Sequence, residues 1–240
     1  MKLHGMNKLT LLDYPGKTAC LVFTGHCDFR CPFCQNAGLV LSPSSEPEIS
    51  PDEFFNFLKK RKNVLEGVCI SGGEPLLNTD IADFIKNIKN MGYFVKLDTN
   101  GNHSSRMIGL LEAGLVDYIA MDIKNSKEHY PYTCGIKNFD LKEVERSVEY
   151  LLSHSYDYEF RTTVVQEYHS QNDFLSIGKW ITGAKAYFLQ PYKPSENVLG
   201  NLVYSGHPYK EMLTAPSREE LEIYCNIVSP YVNSVKIRGI

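Results

Sequence analysis

The stretch Ala19-Cys20-Leu21-Val22-Phe23-Thr24-Gly25-His26-Cys27-Asp28-Phe29-Arg30-Cys31-Pro32-Phe33-Cys34-Gln35-Asn36 decides how the chain is read. Residues 19–24 form a short apolar, β-rich run closed by a glycine, the pattern of a buried strand. Directly after it come three cysteines spaced Cys-x3-Cys-x2-Cys, at Cys27, Cys31 and Cys34. Cysteine sulfur is the usual ligand of iron–sulfur clusters, and three thiolates on one tight loop can hold three corners of a cubane. The fourth iron then lacks a protein ligand and stays open to substrate, as the open position of a catalytic zinc does. The loop alone leaves a second reading, zinc with His26 as fourth ligand. Against it, His26 and Cys27 are adjacent, and neighbouring residues rarely both point at one tetrahedral metal.

Outward from this loop, short β-rich runs alternate with amphipathic segments. The runs cover 19–24, 67–71, 94–98, 118–124, 159–165 and 186–190, and the helical segments cover 51–61, 79–91, 104–113, 141–153 and 171–181. Ser50-Pro51-Asp52-Glu53 supplies an N-cap, a proline at N1 and first-turn acids. Gly92 and Gly114 stand where C′ glycines close helices. Such alternation predicts an α/β fold of parallel strands joined by right-handed crossovers. Six units are fewer than the eight of a closed barrel, so an open, partial (β/α)6 barrel and a doubly wound sheet both fit. Residues 1–190 carry the rhythm. Residues 191–240 break it with a Pro/Gly/Asn-rich loop, a helix near 217–227 and a short strand at 234–238, and read as an extension packed on the same domain.

Composition narrows the function. With 240 residues, 43% hydrophobic and 22% charged, the chain has the makeup of a soluble globular protein with one sizeable core. A net charge of −3 without a basic stripe argues against nucleic-acid binding. Apolar stretches such as 18–24 are too short for a bilayer, and the opening Met1-Lys2-Leu3-His4-Gly5 lacks a signal peptide's apolar core. A cytoplasmic location without membrane partners is expected. Seven cysteines, an odd number, point to metal binding over a disulfide framework. Cys20 and Cys69 sit in apolar runs and read as buried strand residues, while Cys134 and Cys225 read as isolated thiols.

The ends of the other runs carry the remaining chemistry. The second closes in Ser71-Gly72-Gly73-Glu74-Pro75, with glycines that permit close backbone approach and a carboxylate suited to an ammonium group. The third closes in Asp98-Thr99-Asn100-Gly101. In the fourth, strand alternation puts Ile119, Met121 and Ile123 on one face and Ala120, Asp122 and Lys124 on the other. Charges on an inner strand face are costly unless paired or ligand-bound. Asp122 and Lys124 are therefore either a structural pair or part of a site; four successive strands delivering polar groups to one rim favours the site. Arg161 either reaches a ligand or pairs with Glu159. Gln190 and Lys193 close the sixth run.

Taken together, these residues resemble the radical S-adenosylmethionine superfamily, and within it the glycyl-radical-enzyme activating enzymes. The likeness is greatest to the longer form of the activating protein of anaerobic ribonucleoside-triphosphate reductase. It spans nearly the whole chain, including Leu11-Leu12-Asp13-Tyr14-Pro15-Gly16-Lys17, Gly72-Gly73-Glu74-Pro75, Asp98-Thr99-Asn100-Gly101, Met121-Asp122-Ile123-Lys124 and Arg161-Thr162-Thr163-Val164. The resemblance implies a partial (β/α)6 barrel with its active site at the strands' C-terminal ends. It implies a 4Fe-4S cluster on Cys27, Cys31 and Cys34 that cleaves S-adenosylmethionine reductively to a 5′-deoxyadenosyl radical, which makes a glycyl radical on a partner enzyme. Phe33 would lie near the adenine, and Gly72, Gly73 and Glu74 would receive the methionine amino group. Asp122 and Lys124 would lie near the ribose and the methionine carboxylate. Gln35, Asn100, Arg161 and Gln190 would complete the cofactor's surroundings, and Asp98 and Asp122 could hold a monovalent cation. Implied partners are the anaerobic reductase and a one-electron donor such as flavodoxin or ferredoxin. Lys193 departs from a related formate-lyase activase, which has histidine there. The scattered cysteines argue against an inserted ferredoxin-like module. A radical enzyme acting on a small metabolite or modified nucleobase, and a zinc-bound structural module, are the competing readings.

Overall fold

The structure, a computed structural model, describes residues 1–195, 198–200 and 213–239. Part of the loop expected after residue 191 falls on 201–212, outside the described residues. Two compact units divide the chain: residues 1–28 with 38–120, and residues 29–37 with 121–240. The cysteine stretch crosses from the first to the second after Asp28 and returns at Gly38.

In the first unit, β1 (Leu3–Thr10) runs antiparallel to β2 (Ala19–Thr24), and β2 is parallel to β3 (Gly67–Gly72), itself parallel to β4 (Phe94–Thr99). The register pairs Thr24 with Gly72, so the cysteine loop and the Gly-Gly loop leave their strands side by side. A short helix, α1 (Ala37–Leu41), follows the cysteines. Then come α2 (Pro51–Arg61), α3 (Ile81–Asn90) and α4 (Ser104–Glu112). Ser50 caps α2 as expected, its Oγ accepting from Glu53 N at 3.1 Å. Gly92 and Gly114, at φ +86° and +64°, close α3 and α4. Phe54 of α2 stacks on Phe84 of α3 at 5.4 Å, and both are buried. Side chains of this size stabilise by roughly 1.5–3 kcal/mol each on full burial.

β5 (Tyr118–Asp122) runs through the division. The second unit then builds α5 (Tyr130–Cys134), α6 (Lys142–Ser153), β6 (Tyr158–Val164), α7 (Gln171–Trp180), β7 (Tyr187–Pro191), α8 (Arg218–Val228) and β8 (Val235–Ile237). β6, β7 and β8 are parallel. Capping boxes at Ser170/Asp173 and Ser217/Glu220 start α7 and α8, and Phe174 stacks on Tyr224 at 4.3 Å between them. The extension thus contributes a strand to this unit. Arg238 reaches the fully buried Glu159 with Nη1 and Nη2 at 2.6 and 2.8 Å. Among the described residues, no helix is long and apolar enough to cross a membrane.

The expected runs and helices match β2–β7, α2–α4, α6 and α7 to within about two residues, the usual uncertainty of element ends. β1, α1 and α5 were not expected. β1 is an edge strand whose residues Asn7, Lys8 and Leu9 are exposed, so it shows no clean alternation. The two helices have five residues each, too few for a helical period to show.

Candidate functional site

In the first unit the site is built where β2, β3 and β4 end. His26 adopts a left-handed backbone (φ +64°) and its N–H donates to Leu39 O at 2.8 Å, which turns the chain out of β2. The Gly-Gly loop binds this turn: Gly73 N donates to Thr24 O at 2.9 Å and Glu74 N to His26 O at 2.7 Å. A Cβ on Gly73 would lie 1.9 Å from His26 O, and one on Gly72 (φ +123°) 2.3 Å from Thr24 N and O. The backbone brought close to these glycines is the cysteine loop's own. His26 itself is exposed, and its main chain forms these bonds.

Glu74 is fully buried. Its Oε1 accepts from Leu76 N at 3.0 Å and Thr99 Oγ1 at 2.9 Å, and its Oε2 from Asn100 N at 2.7 Å. Burial pushes its pKa up to about 7, against the pull of those bonds and with a further push from Asp28. Asp28, inside the cysteine motif, accepts from Asn100 Nδ2 at 2.8 Å and Asn102 Nδ2 at 2.7 Å, and pairs with His103 Nε2 at 3.1 Å. Burial works against its charge, yet His103, Asn102 and Asn100 outweigh it and hold the pKa down at about 2. The same Asn100 Nδ2 lies 3.9 Å from Cys27 Sγ. Asp98 is paired with the buried Lys96.

In the second unit, residues 29–37 are held from several sides. Arg30 N donates to Cys134 O at 2.8 Å, Leu199 N to Cys34 O at 2.9 Å and Gly200 N to Pro32 O at 2.7 Å. Phe29 packs edge-on against Tyr130 and Phe139. Phe33 is buried with its ring edge-on to Tyr168, and Gln35 Nε2 donates to Lys193 O at 2.9 Å. Asp122 accepts from Arg161 Nε at 3.0 Å and Lys124 Nζ at 2.9 Å. Burial opposes the Lys124 ammonium, but Asp122 and then Cys31 raise its pKa above the ordinary lysine range. Burial raises the Cys34 thiol, partly offset by Lys124 and Arg30. Gln190 lies opposite Thr163 in the β6–β7 register.

The structure therefore gathers Cys27, Gly72, Gly73, Glu74 and Asn100 in one unit and Cys31, Cys34, Asp122, Lys124 and Arg161 in the other. Asp98 is paired with Lys96, and Asp122 with Lys124 and Arg161. Sequence reasoning missed Asp28, Asn102 and His103, as well as the backbone support from Leu199 and Gly200. Among the described residues no three His, Cys, Asp or Glu side chains are grouped closely enough to hold a metal ion, and the fit to an anionic iron–sulfur cluster lies in the chemistry of the donors: an amide N–H faces Cys27, and the Lys124 charge acts on Cys31 and Cys34. Hydrogen bonds and positive charge around cluster thiolates are what such centres need.

Parallel strands with a cysteine loop after β2 and polar groups after β3 and β4 put the candidate site at the C-terminal ends of an α/β fold's strands. The family model of the radical SAM superfamily matches residues 21–181, and the chain belongs to that superfamily. Its cofactors are a 4Fe-4S cluster and S-adenosylmethionine, which sets aside the zinc reading. A candidate glycyl-radical enzyme activating enzyme of Methanocaldococcus jannaschii is 28% identical over 242 residues, covering 99% of this chain and 96% of that protein. A domain of the pyruvate-formate lyase-activating enzyme from Bacteroides vulgatus superposes with a TM-score of 0.56 at 16% identity, over 72% of this chain and 99% of that one. Streptococcus suis SuiB bound to S-adenosylmethionine gives 0.65 at 12% identity, over 91% of this chain and 52% of that one. These structural likenesses carry the fold, the α/β arrangement of parallel strands expected from the sequence.

Proposed function

We propose that this radical SAM enzyme activates a glycyl radical enzyme, with anaerobic ribonucleoside-triphosphate reductase as its target. The observation that carries the activating-enzyme reading is the end-to-end similarity to the Methanocaldococcus jannaschii relative, covering 99% and 96% of the two chains; the reductase as target rests on the motif resemblance alone. When bound, the cluster and S-adenosylmethionine supply reductive cleavage of the C5′–S bond and with it a 5′-deoxyadenosyl radical.

The chain's own residues hold and orient. Cys27, Cys31 and Cys34 are the cluster ligands. The backbone of Gly72 and Gly73 faces the methionine amino group. The fully buried Glu74 accepts three internal hydrogen bonds that hold this loop against the end of β4. Asp122, Lys124 and Arg161 together carry one negative and two positive charges, a net positive set that suits the methionine carboxylate, while Asp122 serves the ribose hydroxyls. Phe33 packs at the adenine, and Gln35, Asn100 and Gln190 line the rim. Residues 1–190 form the catalytic domain. Residues 191–240 are its extension, which buttresses the cysteine segment through Leu199 and Gly200. A flavodoxin or ferredoxin supplies the electron.

The test is anaerobic. Reduced protein, S-adenosylmethionine and the same organism's anaerobic reductase are mixed and followed by electron paramagnetic resonance. A glycine-centred doublet that needs all three supports the proposal. Deoxyadenosine formation without a radical on any glycyl radical enzyme of that organism replaces it with chemistry on a small metabolite or modified nucleobase.

A further inference from the structure

Asn100 is fixed at three points. Its N–H donates to Glu74 Oε2 at 2.7 Å, its Oδ1 accepts from Asn102 N at 2.9 Å, and its Nδ2 donates to Asp28 Oδ1 at 2.8 Å. The residue is 6% exposed, so this amide cannot turn without breaking buried bonds. The second contact of Nδ2 is Cys27 Sγ at 3.9 Å, within reach of an N–H···S bond. Asp28 Oδ1 lies at the same 3.9 Å from that sulfur, and its carboxylate is locked there by Asn102 and His103.

An N–H aimed at a cluster sulfur favours the more negative, reduced cluster, whereas a carboxylate beside the same sulfur disfavours it. We propose that Asn100 and Asp28 are opposed positioning residues that set the reduction potential of the cluster through Cys27. The amide raises the potential and the carboxylate lowers it. The inference rests on the reading of Cys27 as a cluster ligand. It goes beyond that reading by giving the Asp-Thr-Asn-Gly loop a task toward the iron rather than toward S-adenosylmethionine.

The experiment reconstitutes wild type, Asn100→Ala, Asp28→Asn and Cys27→Ala anaerobically. Iron and acid-labile sulfide are measured, and the cluster is titrated redox-wise by electron paramagnetic resonance without S-adenosylmethionine. At a fixed applied potential, Asn100→Ala should lower the reduced-to-oxidised ratio and Asp28→Asn should raise it. Each change should be on the order of tenfold, equivalent to about 59 mV for one electron. Unchanged ratios in fully loaded variants, or shifts of the same sign, overturn the proposal. If Asn100→Ala does not retain iron, Asp28→Asn carries the test alone; loss of iron from both overturns it in favour of a purely structural role. Failure of the underlying reading looks different: Cys27→Ala would then keep a full cluster.

Discussion

Arg161 grips one oxygen of Asp122 with two nitrogens, Nε at 3.0 Å and Nη2 at 2.9 Å from Oδ1. Lys124 holds the other oxygen at 2.9 Å, so the carboxylate is fixed between two cations rather than paired only with its neighbour two residues away.

This arrangement separates a binding role from a packing role. Asp122→Ala, Lys124→Ala and Arg161→Ala should each weaken S-adenosylmethionine binding at least tenfold with iron content unchanged. Losing one partner of a desolvated charge pair costs on the order of 2–5 kcal/mol. Calorimetric titration read beside melting curves decides the matter. Lower melting temperatures with unaltered affinity would leave these residues as a structural cluster only.

Cysteine substitutions should divide cleanly. Cys27→Ala, Cys31→Ala and Cys34→Ala should each abolish iron and sulfide loading, while Cys20→Ala, Cys69→Ala and Cys225→Ala should retain it. Cys20 and Cys69 are fully buried in β2 and β3, where burial pushes the Cys20 thiol up to about 12 and the Cys69 thiol higher still. Their loss should appear as lower thermal stability from a small cavity. Loading that survives Cys31→Ala would contradict the ligand assignment.

Two glycines give a matched pair of tests. Gly73→Ala would place a methyl 1.9 Å from His26 O and must push the cysteine loop away, so both melting temperature and iron loading should fall. Gly109 is exposed in α4, and a methyl group there would meet nothing within 4 Å. Gly109→Ala should be neutral or stabilising by roughly 0.5–1 kcal/mol, with normal iron content. Equal behaviour of the two variants would mean that the Gly-Gly loop does not brace the cysteines.

What the sequence disclosed follows from how local each signal is. The strand runs, the capped helices and the cysteine spacing all sit within a few consecutive residues, and the structure reproduces those elements. The Asp28 network could not be read this way. Asn100 and Asn102 lie 72 and 74 positions further along the chain and reach Asp28 only because β2, β3 and β4 end together. Support of Cys34 by Leu199 is equally non-local. The glycines after β3 were legible as a place of close approach. That the approaching group includes the cysteine loop required the register of Thr24 against Gly72.

Glu74 should leave a mark on stability against pH. In the unfolded chain its pKa is 4.5, and in the fold about 7. Between those values the unfolded state gives up its proton while the folded state keeps it. Stability from this group is therefore greatest below pH 4.5, falls as pH rises to about 7, and is flat above. At ~1.4 kcal/mol per tenfold change in proton affinity, the loss between pH 5 and 7.5 is on the order of 2–3 kcal/mol. Asp28 works in the opposite direction but in another window. Its pKa drops from 3.8 to about 2, so its contribution is lost only as pH falls through that range. Denaturant titrations of the apoprotein at pH 5 and 7.5, for wild type and Glu74→Gln, isolate the effect. Titrations of other groups are largely common to both proteins and cancel in the difference. Wild type should lose more stability across the interval than the variant does. Equal losses would mean that Glu74 is already ionised in the folded protein at pH 5, with its three hydrogen bonds outweighing its burial.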